Sequence, residues 1–159
     1  MATTVVNSPL TVSIEERISL NGYEQGSTNN ITVADVNEIS KRIITITTTE
    51  STIATFSGAV ASAGHYVAAD VRYIRFTNLD DTNFLTLTFR NQDNDEVAIK
   101  VDALQSFIWN GDNSNGMTAV FNATQDADAA SDTAFGSLTN IQADANSSSC
   151  DLEMFIASV

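Results

Sequence analysis

Hydrophobic and polar positions alternate most regularly in the middle of the chain. Residues 83–90 and 96–102 each place apolar side chains at every second position, which puts one face of a strand in a core and the other in water. Residues 71–77 are apolar on both faces and predict a central strand that is buried on both sides. The predicted core positions of this region are Leu85, Leu87, Phe89, Val97, Ile99 and Phe107.

Segments rich in Asn and Asp separate these strands. Residues 78–83 and 91–95 consist mainly of side chains that bond their own main chain and tolerate left-handed backbone, so both segments predict turns. We therefore expect a three-stranded meander, in which each strand pairs with the next, ending in residues 105–110.

Further alternating runs lie on the N-terminal side of the meander. Residues 10–20 predict one strand with an irregularity at its charged triplet. Residues 39–49 are rich in Ile and Thr, whose β-branched side chains favour strands. We expect that strand to pair with residues 52–57 as a hairpin.

Weaker signals lie between these runs. Residues 21–22 and 26–30 predict turns, because Gly and Asn favour reversals of the chain. Residues 34–41 allow a short helix, and residues 58–69 predict a loop of small side chains.

The C-terminal third continues in the same manner. Residues 111–116 predict a turn, residues 117–122 a short strand and residues 123–133 an acidic loop without apolar periodicity. Residues 135–143 and 150–159 predict two more strands. Many short strands with turns every ten or so residues predict an all-β fold, an antiparallel β-sandwich of jelly-roll type with little helix.

The chain divides into a short arm and one domain. Residues 1–9 predict an extended N-terminal arm, and residues 10–159 predict a single β-sandwich domain. The arm has two interpretations: a frayed terminus, or a segment that docks on a neighbouring molecule. The candidate docking residues are Thr3, Thr4, Val5, Val6 and Asn7.

Net charge narrows the class of partner. The formal charge is −13, and the seven Lys and Arg residues are scattered along the chain. Neutralising phosphates takes clusters of basic side chains, so direct binding to DNA or RNA is not expected. No signal peptide and no apolar run long enough to span a bilayer is recognisable, so we expect no membrane partner.

Few residues suit catalysis or metal binding. Cys150 is the single cysteine and His65 the single histidine, so neither a disulfide framework nor a zinc site of thiolates or imidazoles can form in one chain. We expect Cys150 to be a buried or edge thiol. A catalytic role of His65 is not expected, because no Gly-x-Ser-x-Gly elbow accompanies it, and an exposed loop residue is the simpler interpretation. A carboxylate pair for glycoside hydrolysis remains an open alternative, because an acidic chain has many Asp and Glu residues, but the sequence singles out no pair.

We therefore expect a protein without enzymatic activity and without a cofactor. Two binding hypotheses remain. Residues 93–96, 112–115 and 126–132 offer oxygen ligands for Ca²⁺, but none matches an EF-hand loop, and solvated turns are the simpler interpretation. Aromatic side chains could also form a sugar-stacking platform, although core packing explains the tryptophan more simply. The candidate platform residues are Tyr23, Tyr66, Tyr73 and Trp109.

Several segments resemble a known class of proteins. They read ISKRIITITTTES followed by TIATFSG at residues 39–58, VRYIRFTNLDDTNFLTLTF at residues 71–89, DALQSFIWN at residues 102–110 and CDLEMFIAS at residues 150–158. Together they resemble small β-sandwich virion structural proteins of tailed bacteriophages, especially those of marine and cyanobacterial hosts. The similarity covers over half of the chain, and the glycine usual near Leu104 is missing.

The resemblance implies a structural component of a phage particle. The expected role is a capsid cement or decoration protein, made in the host cytoplasm and located on the capsid exterior of the virion. Its implied partners are the major capsid protein and further copies of itself, as a dimer or trimer. The resemblance supplies no catalytic or contact residues. Two alternatives remain, a tail, adaptor or fibre-associated virion component and a carbohydrate-binding adhesion module.

Overall fold

The computed structural model of the protein describes residues 5–58, 63–111, 116–117 and 137–159. β-Strands account for most of these residues. The strands, in chain order, are β1 (Ser8–Glu16), β2 (Ser19–Leu20), β3 (Tyr23–Glu24), β4 (Ser27–Val36), β5 (Glu38–Ile46), β6 (Ser51–Ser57), β7 (His65–Val67), β8 (Val71–Asn78), β9 (Leu85–Asn91), β10 (Glu96–Val101), β11 (Ser106–Asn110), β12 (Leu138–Ala145) and β13 (Cys150–Ser158).

Two sheets face each other across one core. The five-stranded sheet has the order β10-β9-β12-β6-β7, and the four-stranded sheet has the order β11-β8-β13-β5. All pairs within them are antiparallel except β6 and β7, which run parallel. The predicted all-β sandwich is therefore confirmed. The remaining strands, β1 to β4, form a separate hairpin.

The core is built from the inward faces of both sheets. Leu85, Leu87 and Phe89 are fully buried, as predicted, while Ile99 and Phe107 pack against the core from partly buried positions. Burying each such side chain stabilises the fold by roughly 1.5–3 kcal/mol. The expectation for Val97 is wrong, because it lies on the edge strand β10 and remains 41% exposed.

Strand pairing differs from the predicted meander. β9 and β10 form the expected hairpin, but β8 does not pair with β9: it pairs with β11 and β13, whereas β9 pairs with β10 and β12. The predicted hairpin of β5 and β6 is also wrong, because these strands lie in different sheets. The two C-terminal strands pair with these four strands instead. β12 lies between β9 and β6 in one sheet, and β13 lies between β8 and β5 in the other.

The turn that follows β8 carries the chain from one sheet to the other. Asn78 is fully buried at this crossing. Its side-chain amide donates to the carbonyl oxygens of Asn83 at 2.8 Å, Asp102 at 3.2 Å and Val101 at 3.3 Å. Its side-chain oxygen accepts from the backbone N–H of Asp80 at 3.1 Å. One side chain thus joins the β8–β9 crossing to the end of β10.

In the N-terminal third, one local prediction is confirmed and two are wrong. The turn at residues 21–22 is confirmed, with positive φ at both positions, as two-residue hairpin loops require. The turn predicted at residues 26–30 and the helix predicted at residues 34–41 are wrong, because β4 and β5 occupy them. Pairing of β4 with β1 and of β5 with β13 decides these segments.

Two other predicted loops have different outcomes. The loop predicted at residues 58–69 contains the short strand β7. Residues 112–115 and 118–136 lie outside the described residues. The predictions for the turn at 111–116, the strand at 117–122 and the acidic loop at 123–133 therefore fall wholly or mostly outside them, and so does the start of the predicted strand at 135–143.

We expect the change Asn78→Ala to lower the free energy of unfolding by about 2–3 kcal/mol, because it leaves buried carbonyl oxygens without their donor. Urea unfolding followed by circular dichroism measures the change. Asn146→Ala is the control, since that side chain is exposed, and its effect should stay within about 0.5 kcal/mol. Equal effects of the two substitutions would contradict this role of Asn78.

Candidate interaction surface

A long β-hairpin is attached to the sandwich at one end only. It comprises residues 8–36, and we call residues 17–26 its tip. β1 and β4 pair along most of their length, from Leu10 opposite Val33 to Glu16 opposite Ser27. At the tip the short strands β2 and β3 pair around the two-residue turn. The hairpin is the largest part of the described chain outside the two sheets.

The base of the hairpin is anchored on the outer face of the four-stranded sheet. Alternation gives one face of the ribbon apolar side chains, while the opposite face carries Thr, Ser and Asn. The apolar face packs over Tyr73 and Phe155, whose ring centroids lie 6.0 Å apart edge to face. Burial raises the pKa of the Tyr73 phenol, and the nearby Arg75 only partly opposes this. The cluster contains Leu10, Val12, Val33, Val36, Tyr73, Phe155 and Ala157.

Beyond this base the hairpin projects from the sandwich. Residues 15–30 are all exposed, and their hydrogen bonds to described residues stay inside the hairpin. The Ser13 hydroxyl donates to the side-chain oxygen of Asn30 at 2.7 Å. Gly26 permits close approach of the strands, since a Cβ there would lie 2.1 Å from the carbonyl oxygen of Glu16. A two-stranded ribbon of this kind is marginally stable in water on its own.

Exposed apolar side chains concentrate on this part of the molecule. Ile18, Leu20 and Tyr23 at the tip are 48%, 55% and 73% exposed. Of the eleven large apolar side chains exposed among the described residues, seven belong to the N-terminal arm, the hairpin or the adjoining strand β5. Such concentrations on a protein surface mark interaction sites. Besides the three tip residues, the seven comprise Val5, Val6, Ile39 and Ile43.

The predicted arm is described in part. Thr3 and Thr4 lie outside the described residues. Val5, Val6 and Asn7 are exposed and precede β1, which begins at Ser8. Beside the base of the hairpin a shallow groove runs between the arm and the start of β5. Its apolar lining consists of Val5, Pro9, Leu10, Val36 and Ile39.

The four aromatic residues of the hypothetical sugar platform do not come together. Trp109 points into the sandwich, where its ring centroid lies 5.3 Å from that of Phe89. Tyr66 and Tyr73 are buried on different sheets, and only Tyr23 is exposed, at the tip of the hairpin. Core packing is therefore the role of Trp109 in this structure.

The single histidine is not the exposed loop residue expected. His65 lies half-buried in β7, with its Nε2 2.6 Å from the hydroxyl of Ser57 on β6. A Ser–His pair resembles part of a hydrolytic triad, which also needs a carboxylate on the second ring nitrogen and an oxyanion hole. In the described part of the chain, the bond between His65 and Ser57 joins the neighbouring strands β6 and β7.

The acidic turn at residues 93–96 engages its carboxylates separately. Asp95 accepts a hydrogen bond from the amide of Asn91 at 3.0 Å, and Glu96 forms an ion pair with Arg90. The described residues contain no group of three His, Cys, Asp or Glu side chains that could hold a metal ion. The other two candidate calcium segments, residues 112–115 and 126–132, lie outside them.

Cys150 is a buried thiol, as predicted. Its sulfur lies 3.6 Å from the carbonyl oxygen of Ser148. Burial raises the pKa of the thiol, and the negative charges of Asp80 and Asp151 raise it further. A buried thiol with a raised pKa carries little thiolate and is chemically inert.

An ion cluster lies on the outer face of the four-stranded sheet beside the anchored base. Glu153 on β13 accepts a hydrogen bond from Arg75 on β8 at 2.5 Å and pairs with Lys41 on β5 at 3.2 Å. These bonds, with that from Arg75 the stronger, hold the pKa of the Glu153 carboxyl below its usual value. One carboxylate thus links three adjacent strands.

Comparison with known proteins gave no match: neither a family model, nor a curated protein, nor a solved structure is similar to this chain. In the part of the chain that the structure describes, no helix is long and apolar enough to cross a membrane.

The ion cluster predicts a specific dependence of stability on pH. Because the folded pKa of Glu153 is lowered, its contribution is complete above the unfolded pKa of about 4.3 and is lost as pH falls through the folded value. We expect Glu153→Gln to be less stable than the wild type at pH 7, and the difference to shrink below about pH 4. Thermal unfolding from pH 7 to pH 3 measures this. A constant difference across that range would contradict it.

Proposed function

We propose that the protein is a structural component of a tailed-phage particle, a capsid cement or decoration protein that attaches to the major capsid shell. The single observation that supports this role best is the projecting hairpin, which carries exposed apolar side chains at its tip and lies beside an exposed arm. The sequence resemblance supplies the particle as the setting.

The division between sandwich and hairpin suits a protein that binds rather than catalyses. The sandwich has one core that is shared by both sheets, and on its outer face Glu153 pairs with Lys41 and Arg75. The hairpin has apolar groups that no described residue covers. A rigid body with a projecting apolar element can anchor on a groove of a larger surface, and a few such side chains carry most of the energy of an interface.

Net charge also fits this role. A formal charge of −13 disfavours the packaged nucleic acid as a partner and keeps the protein soluble before assembly. Attachment to a shell then relies on apolar burial at the tip and on the arm. A position on the tail or an adaptor is the alternative outcome, and a reconstruction of the particle distinguishes the two.

The arm can be tested by deletion of residues 1–7, which leaves β1 intact. We expect lower occupancy of the protein on particles, because Val5 and Val6 are exposed in the free protein and available for docking. Quantitative gels of purified particles measure occupancy. The unfolding temperature should not change, and full occupancy after the deletion would show that the arm is not a docking element.

The tip can be tested with the double change Ile18→Ser and Leu20→Ser. Loss of two anchoring side chains should raise the Kd for shells that lack the protein by about tenfold or more. Co-sedimentation with such shells measures binding.

A matched control is the double change Val97→Ser and Leu104→Ser elsewhere on the surface. These side chains are 41% and 66% exposed, close to the 48% and 55% of Ile18 and Leu20. The control should leave the Kd within about threefold of the wild type. If both pairs weaken binding equally, or neither does, the tip is not the anchor.

A further inference from the structure

β4 has one edge without a partner strand in the described structure. It pairs with β1 on one side, and on the other side no described strand pairs with it. An open edge presents a row of unpaired N–H and C=O groups, which is a template for another strand. Residues 27–30 of β4 belong to the projecting part of the hairpin, so another chain can approach this end of the edge freely. Toward the base, Thr32 and Ala34 are still exposed.

The open edge of β4 is uncharged from Ser27 to Ala34, and Asp35 near the C-terminal end of the strand is its one carboxylate. Eight consecutive residues, 27–34, read STNNITVA and contain no ionisable side chain. Proteins usually protect exposed edges with charges, prolines or short strands. The other edge strands of the described structure have such features or are short. They are β1 with Pro9, Glu15 and Glu16, β5 with Glu38, Lys41 and Arg42, β10 with Glu96 and Lys100, β2 and β3 with two residues each, β7 with three residues and β11 with five.

An uncharged edge suits a second copy of this chain better than any other occupant. Two copies that each carry a charge of −13 repel each other, so their contact must exclude carboxylates from its centre. A partner with a basic surface would instead be matched by an acidic edge, such as that of β1 with Glu15 and Glu16.

We propose that β4 pairs antiparallel with β4 of a second copy across a two-fold axis, which forms a continuous ribbon of four strands in the order β1-β4-β4-β1. A strand placed antiparallel to itself satisfies two-fold symmetry, because the same patch then serves both chains. The pairing also supports the hairpin, since three or more strands are needed for a ribbon that is stable in water.

This pairing is independent of the proposed attachment to a shell. It concerns the edge of β4 rather than the tip or the arm, and it is measurable in the purified protein without any particle. A negative result would leave the attachment proposal untouched, and loss of shell binding would leave the pairing untouched.

The test adds two carboxylates to the edge of β4 with Asn30→Glu and Thr32→Glu. The matched control adds the same charge to β1 with Ser13→Glu and Thr11→Glu. In the hairpin Thr11 lies opposite Thr32 and Ser13 opposite Asn30, and all four side chains are exposed on the polar face. Each variant replaces one partner of the Ser13–Asn30 hydrogen bond. They differ in distance from the pairing edge by one strand spacing, about 4.8 Å per chain.

Sedimentation equilibrium over a range of concentrations measures the dissociation constant of the dimer. We expect the wild type to dimerise, more tightly as salt screens the repulsion between the copies. The β4 variant should raise the dissociation constant about tenfold or more, because like charges then face each other across the two-fold axis. The β1 variant should stay within about threefold. Circular dichroism verifies that both variants fold.

Hydrogen exchange of the wild type provides a second measurement that needs no variant. Amides of residues 27–36 should become more protected as protein concentration rises, whereas amides of β10 should not change. A wild type that stays monomeric at millimolar concentration, an equal effect of the two variants, or exchange in β4 that is independent of concentration would each overturn the proposal.

Discussion

Burial of both faces of β13 is the constraint on which the rest of the structure depends. This strand lies between β5 and β8. Its inward side chains, Leu152, Met154 and Ile156, belong to the sandwich core. On its outer face Glu153 binds cations from both neighbouring strands, and Phe155 with Ala157 receives the base of the hairpin. The same nine residues therefore hold the core together and orient the projecting element.

This arrangement separates a rigid body from an exposed working surface. The hairpin is fixed at its base by apolar packing over Tyr73 and Phe155, so the sandwich sets the direction in which its two strands leave the sheet. From Glu15 to Asn30 the ribbon is exposed on both faces, and the edge of β4 is uncharged from Ser27 to Ala34. The tip and the edge of β4 offer different chemistry, apolar side chains in one case and backbone groups in the other. One hairpin can thus serve both an attachment and a pairing contact.

Strand positions were largely predictable, because the period of two depends only on which residues are apolar. Residues 71–77, 96–102 and 150–159 are strands close to the expected bounds. Strand partners were not predictable, because an Asn- and Asp-rich turn reverses the chain without specifying whether the next strand stays in the same sheet. The buried amide of Asn78 supports the β8–β9 crossing, and two of its three carbonyl acceptors, those of Val101 and Asp102, lie more than twenty residues away in sequence. Nothing in the local pattern marks that contact.

For the candidate interaction surface, too, some properties follow from the sequence and others only from the tertiary structure. The sequence by itself determined that the protein is all-β, acidic and poor in cysteine and histidine, because these properties follow from residue types and their spacing. It also indicated that the single tryptophan belongs to the core. Only the tertiary structure decided that residues 8–36 form one projecting hairpin. The reason is physical. The local signals of β4 are mixed, because Gly26 before it and the Asn residues near its start favour a turn, and the residues at its end are compatible with a helix. It forms a strand because β1 pairs with it and the outer face of β8 and β13 covers its apolar base.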